Sequence, residues 1–399
     1  MKTPNPLAQQ LGIREVINGR SFSTKCGGSI LDEKVIAAMQ QAAKVYFRIE
    51  DLQEAASRVI ARITGAEAGY VTSGASAALT LAAAACMTGL DPAKMNRLPD
   101  TAGMKNEVVI QRGHRNDYDH ALRAAGARLK EVGFAYATFP YELEEGIDPN
   151  TAAVFYLTGI RDGSLPLPEV TRIAHRKNVP VIVDASPQLP PRENLRTFLE
   201  QGADLVAFSG GKHIRGPQAS GFLCGRRDLI MAVALQHQDM DVFPETWTYR
   251  GLIKEKCLPG PPHHGIGRGY KAGKEEIVGL ITALNRYMER DLDAELGQWR
   301  ETVRILIEGA GRISGLRARE FIPAAGAKPV PAAHIEVDPA VYGIDAHAVI
   351  NALQEGDPII TVFEAHASEG LIVILPEALR PGEAQLIVER LAEIRSAGR

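Results

Sequence analysis

The chain has 399 residues, enough for two cores, and its 45% hydrophobic and 23% charged content is ordinary for a folded, water-soluble protein. A formal charge of −3 with no lysine–arginine block gives no electrostatic footprint for nucleic acid. The four cysteines (Cys26, Cys86, Cys224, Cys257) show neither metal-type spacing nor a disulfide framework, so reduced thiols are expected.

Residues 1–25 read as an N-terminal arm with little periodicity. The segment Met1–Pro6 lacks the apolar core of a signal peptide, and a cytoplasmic protein is expected. Helical spacing follows over Glu33–Phe47 and over Asp51–Thr64, where Leu52, Ala55, Ala56, Val59, Ile60 and Ile63 form one face. A strand-sized piece, Gly69–Thr72, leads into Ser73-Gly74-Ala75-Ser76 and an alanine-rich helix ending near Met87. The apolar run Ala77–Met87 is too short to span a bilayer, so no membrane partner is expected. Apolar runs at Val108–Ile110, Leu129–Val132, Ala153–Leu157 and Val179–Val183 alternate with helical stretches at Asp117–Ala125 and Leu167–Lys177. That alternation predicts an α/β fold with a mostly parallel sheet.

Only about a dozen Gly- and Pro-rich residues separate Phe208 from the next strand, Gly221–Cys224. A parallel crossover needs a helix in that space, so an antiparallel pair is expected there. A long helical pattern starts near Lys274 and extends past Trp299. Strands at His334–Val337, Ile359–Val362 and Leu371–Ile374, with helices near Ala346–Leu353 and Glu383–Ile394, predict a smaller α+β domain. The division expected is an arm (1–25), a large domain (26–285) and a small C-terminal domain (286–399).

The stretch with the most chemistry is Ser209-Gly210-Gly211-Lys212-His213-Ile214-Arg215-Gly216-Pro217, a glycine-rich turn carrying a lysine directly after the strand Leu205–Phe208. Upstream, the run Val179–Val183 ends in Asp184. This pairing suits pyridoxal 5'-phosphate: the lysine amine forms a Schiff base with the cofactor aldehyde, and the carboxylate keeps the pyridine nitrogen protonated. Alone, each residue equally suits a surface loop or a strand cap.

Ser73, Gly74, Ala75 and Ser76 lie where a strand enters a helix, and the free N–H groups there suit a phosphate. Serine at that position also serves as an ordinary helix cap. Ser209 is a further candidate phosphate donor. His114, in the loop after the strand Val108–Ile110, is a candidate to stack on the cofactor ring, while His120 fits a helix face. Ser186 and Gln188 follow Asp184 and suit either the cofactor's phenolic oxygen or a turn. The segment Gly265–Lys274 is a second glycine-rich stretch, where Arg268 and Lys271 suit an anion and the adjacent His263 and His264 are poorly placed for a metal. No metal site is expected.

These residues resemble a known group. Ser-Gly-Gly-Lys-x-x-Arg-Gly-Pro-Gln (209–218) is similar to the lysine motif of selenocysteine synthase-like, fold type I pyridoxal-phosphate enzymes, and the nearer likeness is to the D-glucosaminate-6-phosphate ammonia-lyase group. Thr72–Ala85, His114-Arg115…Tyr118-Asp119 and Gly265–Leu280 share the resemblance, which spans about residues 10–395. It implies a large cofactor domain, a small C-terminal domain and active sites at a homodimer interface or in a larger homo-oligomer. It also implies Lys212 as the cofactor lysine, Asp184 as the pyridine partner and Ser73–Ala77 as phosphate contacts. Two departures stand out. The chain starts almost directly at Ile13–Asn18, leaving no room for the extra N-terminal domain that tRNA-modifying relatives use. Val362, at the end of the strand Asp357–Val362, also stands where relatives in the resembled group carry an arginine, a carboxylate or substrate contact.

The reading expected from all this is a lyase with pyridoxal phosphate. Its substrate is a small 2-amino-3-hydroxy acid or amino-sugar acid, with or without a phosphate, and the product a 2-oxo acid with ammonia. Lys212 is expected to take the Cα proton, with Asp184 and His114 as the other catalytic groups. Aldolase, racemase or epimerase, and aminotransferase chemistry start from the same bound state and remain alternatives. A tRNA-acting selenium transferase and a non-catalytic binding protein are the rivals from other classes. The four arginines Arg112, Arg115, Arg215 and Arg268 are expected as anion contacts.

Overall fold

The computed structural model describes residues 5–159, 162–236, 243–263, 265–323 and 328–397. Among them are twelve strands: β1 (Val16–Gly19), β2 (Ala68–Thr72), β3 (Glu107–Gln111), β4 (Arg128–Val132), β5 (Thr151–Leu157), β6 (Val181–Asp184), β7 (Leu205–Ser209), β8 (Gly221–Gly225), β9 (Leu316–Phe321), β10 (Ala332–Val337), β11 (Ile359–Val362) and β12 (Leu371–Ile374). The chain divides into two compact units. The larger runs from Leu31 to Glu289, and the smaller joins the residues up to Ile30 with those from Arg290 onward.

The larger unit holds a seven-stranded sheet in the order β2-β8-β7-β6-β5-β3-β4. β8 runs antiparallel to both β2 and β7, while the other neighbours are parallel. The antiparallel β7–β8 pair agrees with the short helix-free link between them. The inner strands are near-continuous apolar runs because helices cover both faces. The helix Ala75–Thr88 packs on β5 to β8, flanked by the helices Arg227–Gln236, which also touches β2 and β8, and His120–Ala124, which also touches β4. It is apolar all round: Ala78, Leu81 and Ala82–Ala85 are fully enclosed, and the alanines let the sheet approach closely. Since β2, β3, β5, β6 and β7 point the same way, their carboxyl ends share one edge, where open α/β sheets bind ligands.

In the smaller unit β1 pairs in parallel with β11, and β12, β10 and β9 form an antiparallel sheet. The segment expected as an arm therefore folds into this unit through β1. The helices Leu292–Ala310, Ala346–Glu355 and Glu383–Ala397 cover a core of Leu306, Ile335, Val349, Ile360, Ile372 and Ile387. Inside it, the Tyr342 hydroxyl donates to the Leu391 carbonyl at 2.6 Å.

Two helices differ from the sequence expectation. The first ends at Ala42, leaving Val45, Tyr46 and Phe47 exposed. The long helix from Lys274 is two helices, Lys274–Glu289 and Leu292–Ala310. Asp291 adopts an extended backbone and accepts from Ala294 N, capping the second, while Arg290 pairs with Glu295 at 2.8 Å.

Candidate active site

The site begins where β2 ends. Thr72 donates to the Gly74 carbonyl at 2.9 Å, and Gly74 takes φ +125°, a conformation only glycine adopts freely. The helix then starts at Ala75 with no side-chain cap and no acidic residue in its first turn. Its first helical bond is Ala78 N to Gly74 O, so the N–H groups of Ala75, Ser76 and Ala77 point out of the helix end. Ser73 behaves differently from its neighbours. Both its N–H and its hydroxyl donate to the Tyr270 carbonyl, at 3.3 and 2.9 Å. Its donors tie the Ile266–Tyr270 turn to the sheet edge.

Gly221 joins this helix end to the lysine turn. It is the register partner of both Thr72 and Ser209. A Cβ there would sit 2.6 Å from Gly74 C and 2.7 Å from Ala75 N. Ser73–Ala77 and Ser209 are thus side by side. Beyond Ser209 the chain folds back on itself: Gly210 N donates to Ser220 O, Gly216 N to Gly210 O and Arg215 N to Lys212 O. A side chain at Gly210 would meet Ser220 Oγ at 2.2 Å, and one at Gly211 would meet Gln218 Cα at 2.8 Å. Both glycines are required by that fold-back, and Lys212 emerges half-buried from it.

Asp184 ends β6 and is only 3% exposed. Its Oδ1 accepts from Ser186 N at 2.9 Å, and its carbonyl accepts from the Thr158 hydroxyl at 2.6 Å. Among the described residues no cation pairs with this carboxylate. Ser186 thereby orients Asp184 through its backbone, while the Gln188 carbonyl accepts from Asn194.

His114 is fully buried in the turn after β3, and its Nδ1 accepts from Leu157 N at 3.3 Å. Tyr156 meets the ring edge-on at 4.6 Å. Leu157 is the register partner of Asp184, so His114 and Asp184 flank the end of β5. Gln111 locks this turn by accepting from Leu165 N at 2.7 Å.

The expected anion contacts from Arg112 and Arg115 are corrected by the structure. Arg115 bonds buried Asp119 at 2.5 Å and also Glu131, and Arg112 bonds Glu131 at 3.2 Å. The pairing of β3 with β4 brings Glu131 to them, a long-range contact that the local sequence does not show. His120 bonds Arg123 on its own helix, in keeping with a structural role. Arg215 sits at φ +58° within the lysine turn. His264 lies outside the described residues. Among those described, no group of His, Cys, Asp or Glu could hold a metal, and no helix is long and apolar enough to cross a membrane.

Arg268 is placed with Lys271, Glu50, Tyr70 and Tyr249 around a cavity of about 260 Å³. Burial pushes the Tyr249 phenol up to about 12, with Glu50 adding to the effect, and burial also raises Tyr70. Both phenols remain protonated donors. Sequence reasoning missed Glu50, Tyr70 and Tyr249, because nothing local marks three segments that meet only in the fold.

The family model described as SelA, L-seryl-tRNA selenium transferase, matches residues 16–240. The chain belongs to this family. It is 33% identical to a D-glucosaminate-6-phosphate ammonia lyase from Salmonella typhimurium, over 98% of each chain. It is also 31% identical to a 5'-C-glycyluridine monooxygenase-decarboxylase from a Streptomyces species, over 97% of this chain and 91% of that one. Among solved structures, one of D-glucosaminate-6-phosphate ammonia-lyase superposes with a TM-score of 0.84 at 33% identity, covering all of both chains. A NifS-like protein at 18% identity and a TM-score of 0.57 shares the fold. The fold is that of the fold type I pyridoxal-phosphate enzymes, and pyridoxal 5'-phosphate is the cofactor. The residues present fit it: a helix end without a side-chain cap for the phosphate, a half-buried lysine, and a buried carboxylate with no paired cation among the described residues.

Proposed function

We propose that this enzyme is a lyase acting on a small 2-amino-3-hydroxy acid or amino-sugar acid. It eliminates water, and hydrolysis then takes up one water and releases ammonia, so that the net products are a 2-oxo acid and ammonia. The observation that carries the reading is the buried Asp184 carboxylate with no cation among the described residues. A buried carboxylate is costly without a partner, and a protonated ring nitrogen supplies one. When bound, pyridoxal phosphate supplies an electron sink for charge developing at the carbon that bears the amine.

The chain's own groups then divide the work. The N–H groups of Ala75, Ser76 and Ala77 hold the phosphate, with Ser209 beside them. Lys212 holds the cofactor, and its amine, released by the substrate amine, accepts the Cα proton. Asp184 holds the proton on the ring nitrogen, and Ser186 N fixes the carboxylate's orientation. His114, buried behind the end of β5, steadies that strand end by accepting from Leu157 N. Loss of the Cβ hydroxyl as water, followed by hydrolysis, gives a 2-oxo acid and ammonium with no external oxidant.

Several finer points belong to the same proposal. A homodimer or larger homo-oligomer is supported by the family likeness and by the cationic turn at Arg268 and Lys271. A cytoplasmic setting is supported by four cysteines that form no disulfide. A small-molecule substrate rather than nucleic acid is supported by the charge of −3. The test is a panel of hydroxy-amino acids and amino-sugar acids incubated with the holoenzyme, following ammonia, 2-oxo acid, aldehyde, carbon dioxide and oxygen. Ammonia with an equal amount of 2-oxo acid is expected. The 31% identity to a monooxygenase-decarboxylase makes oxygen uptake with carbon dioxide release the outcome that would replace this reading.

A further inference from the structure

The carboxyl ends of the parallel pair β1–β11 in the smaller unit carry a cluster that the lyase chemistry does not use. After β1 come Arg20, Ser21, Ser23, Lys25 and Ser29; after β11 come Phe363 and Glu364. The turn is tightly built. Asn18 accepts from Arg20 N at 3.0 Å and donates to the Ser21 carbonyl at 2.9 Å. Ser21 is held at φ +72°, a strained value for a residue with a Cβ. Gly28 N closes the turn onto the Ser23 carbonyl at 3.0 Å.

Charge in this cluster is unbalanced. Arg20 bonds Glu364 at 2.6 Å, and Lys25 approaches the same carboxylate oxygen at 3.5 Å. Two cations therefore share one carboxylate. Gln354 donates to the other Glu364 oxygen at 3.3 Å, and the Arg20 guanidinium lies 6.0 Å above the Phe363 ring. Arg20 is thus anchored on two sides. Lys25 shares that carboxylate while its side chain stays nearly half exposed. In the same turn the hydroxyls of Ser23 and Ser29 are buried and bond nothing among the described residues. A folded protein rarely leaves two desolvated hydroxyls idle in one short turn.

We propose that the Arg20–Ser29 turn is an oxyanion receptor that takes the carboxylate or phosphate of a small acid. Lys25 supplies the charge, Ser23 and Ser29 donate hydrogen bonds, and Arg20, held by Glu364, positions the turn. The shared chemistry has two sources: the acid end of the substrate, which rests on the reading above, or a separate small anion that does not react.

The test uses the holoenzyme, in which the cofactor phosphate already fills its own site. Calorimetric titration with inorganic phosphate and with glycerate, at constant ionic strength, compares wild type with Lys25→Glu and Ser23→Ala/Ser29→Ala. An unchanged cofactor absorbance and thermal midpoint verify folding, and Lys25→Ala serves if the double variant folds poorly. Saturable binding of one probe anion to wild type is expected, weakened about tenfold or more in the variants. If the KM of the reacting acid rises in step while kcat holds, the source is the substrate. If KM stays fixed while probe affinity falls, the source is a separate anion. No saturable binding to wild type, or equal affinity in the variants, overturns the receptor. Binding is read without turnover, so a protein that releases no ammonia yet loses anion affinity in Lys25→Glu would sink the lyase reading alone.

Discussion

Gly221→Ala probes the contact on which the candidate site depends, the seat of the Ala75–Thr88 helix end against β8. The added Cβ would lie 2.6 Å from Gly74 C, 2.7 Å from Ala75 N and 2.8 Å from Phe208 O. All three obstacles are backbone atoms, so no rotamer change relieves them. Reaching ordinary contact requires a displacement of roughly 0.6–0.8 Å, and overpacking of this kind costs about 1–3 kcal/mol. At about 2–4 °C per kcal/mol for a domain of this size, the thermal midpoint should fall by roughly 2–12 °C. The same displacement misaligns the N–H groups of Ala75 and Ser76, so cofactor affinity should drop by about tenfold or more, a loss of ~1.4 kcal/mol. The assay pairs thermal unfolding of the apoprotein with an absorbance titration of pyridoxal phosphate. Gly260→Ala, where a Cβ meets nothing within 4 Å, is the control and should stay within about 0.5 kcal/mol of wild type. A Gly221→Ala protein that matches this control in both measurements would refute the seating of the phosphate against β8.

Asp184→Asn keeps the size but removes the charge, and turnover should fall by about a hundredfold or more while pyridoxal phosphate still binds; turnover near wild type would remove Asp184 from its role. Mixing inactive Lys212→Ala chains with inactive Arg268→Ala chains should restore some activity if Arg268 reaches a neighbouring subunit, and no recovery in proven mixed dimers would place it elsewhere. Glu364 is held below its ordinary value, first by the hydrogen bond from Arg20. Its contribution is therefore present above pH 4.5 and lost as pH falls through the lowered value, so the stability gap between wild type and Glu364→Gln should shrink on acidification. A gap constant with pH would mean that the pair does not couple to folding. Burial pushes the Cys224 thiol up to about 12, whereas Cys257 is exposed, so a thiol reagent at pH 8 should modify Cys257 well before Cys224.

What the sequence made legible was what is local in the chain. The lysine turn could be read because Gly210 and Gly211 mark a fold-back directly after a strand, and Asp184 because it closes an apolar run. The antiparallel β7–β8 pair followed from a link too short for a helix. Features that depend on partners distant in sequence were not legible. Arg112 and Arg115 look like free cations until β3 pairs with β4 and delivers Glu131. Ser73 looks like a phosphate donor until Tyr270, nearly two hundred residues later, takes both its donors. The break at Asp291 is a capping event inside an unbroken amphipathic pattern, where periodicity has no signal to give.

The most direct test of the central claim is to locate the cofactor lysine. The holoenzyme should absorb in the visible range, and borohydride followed by proteolysis and mass spectrometry should place the reduced pyridoxyl group on the peptide containing Lys212. A label on Lys271 or Lys274, or no covalent label at all, would contradict the site built on Lys212 and Asp184.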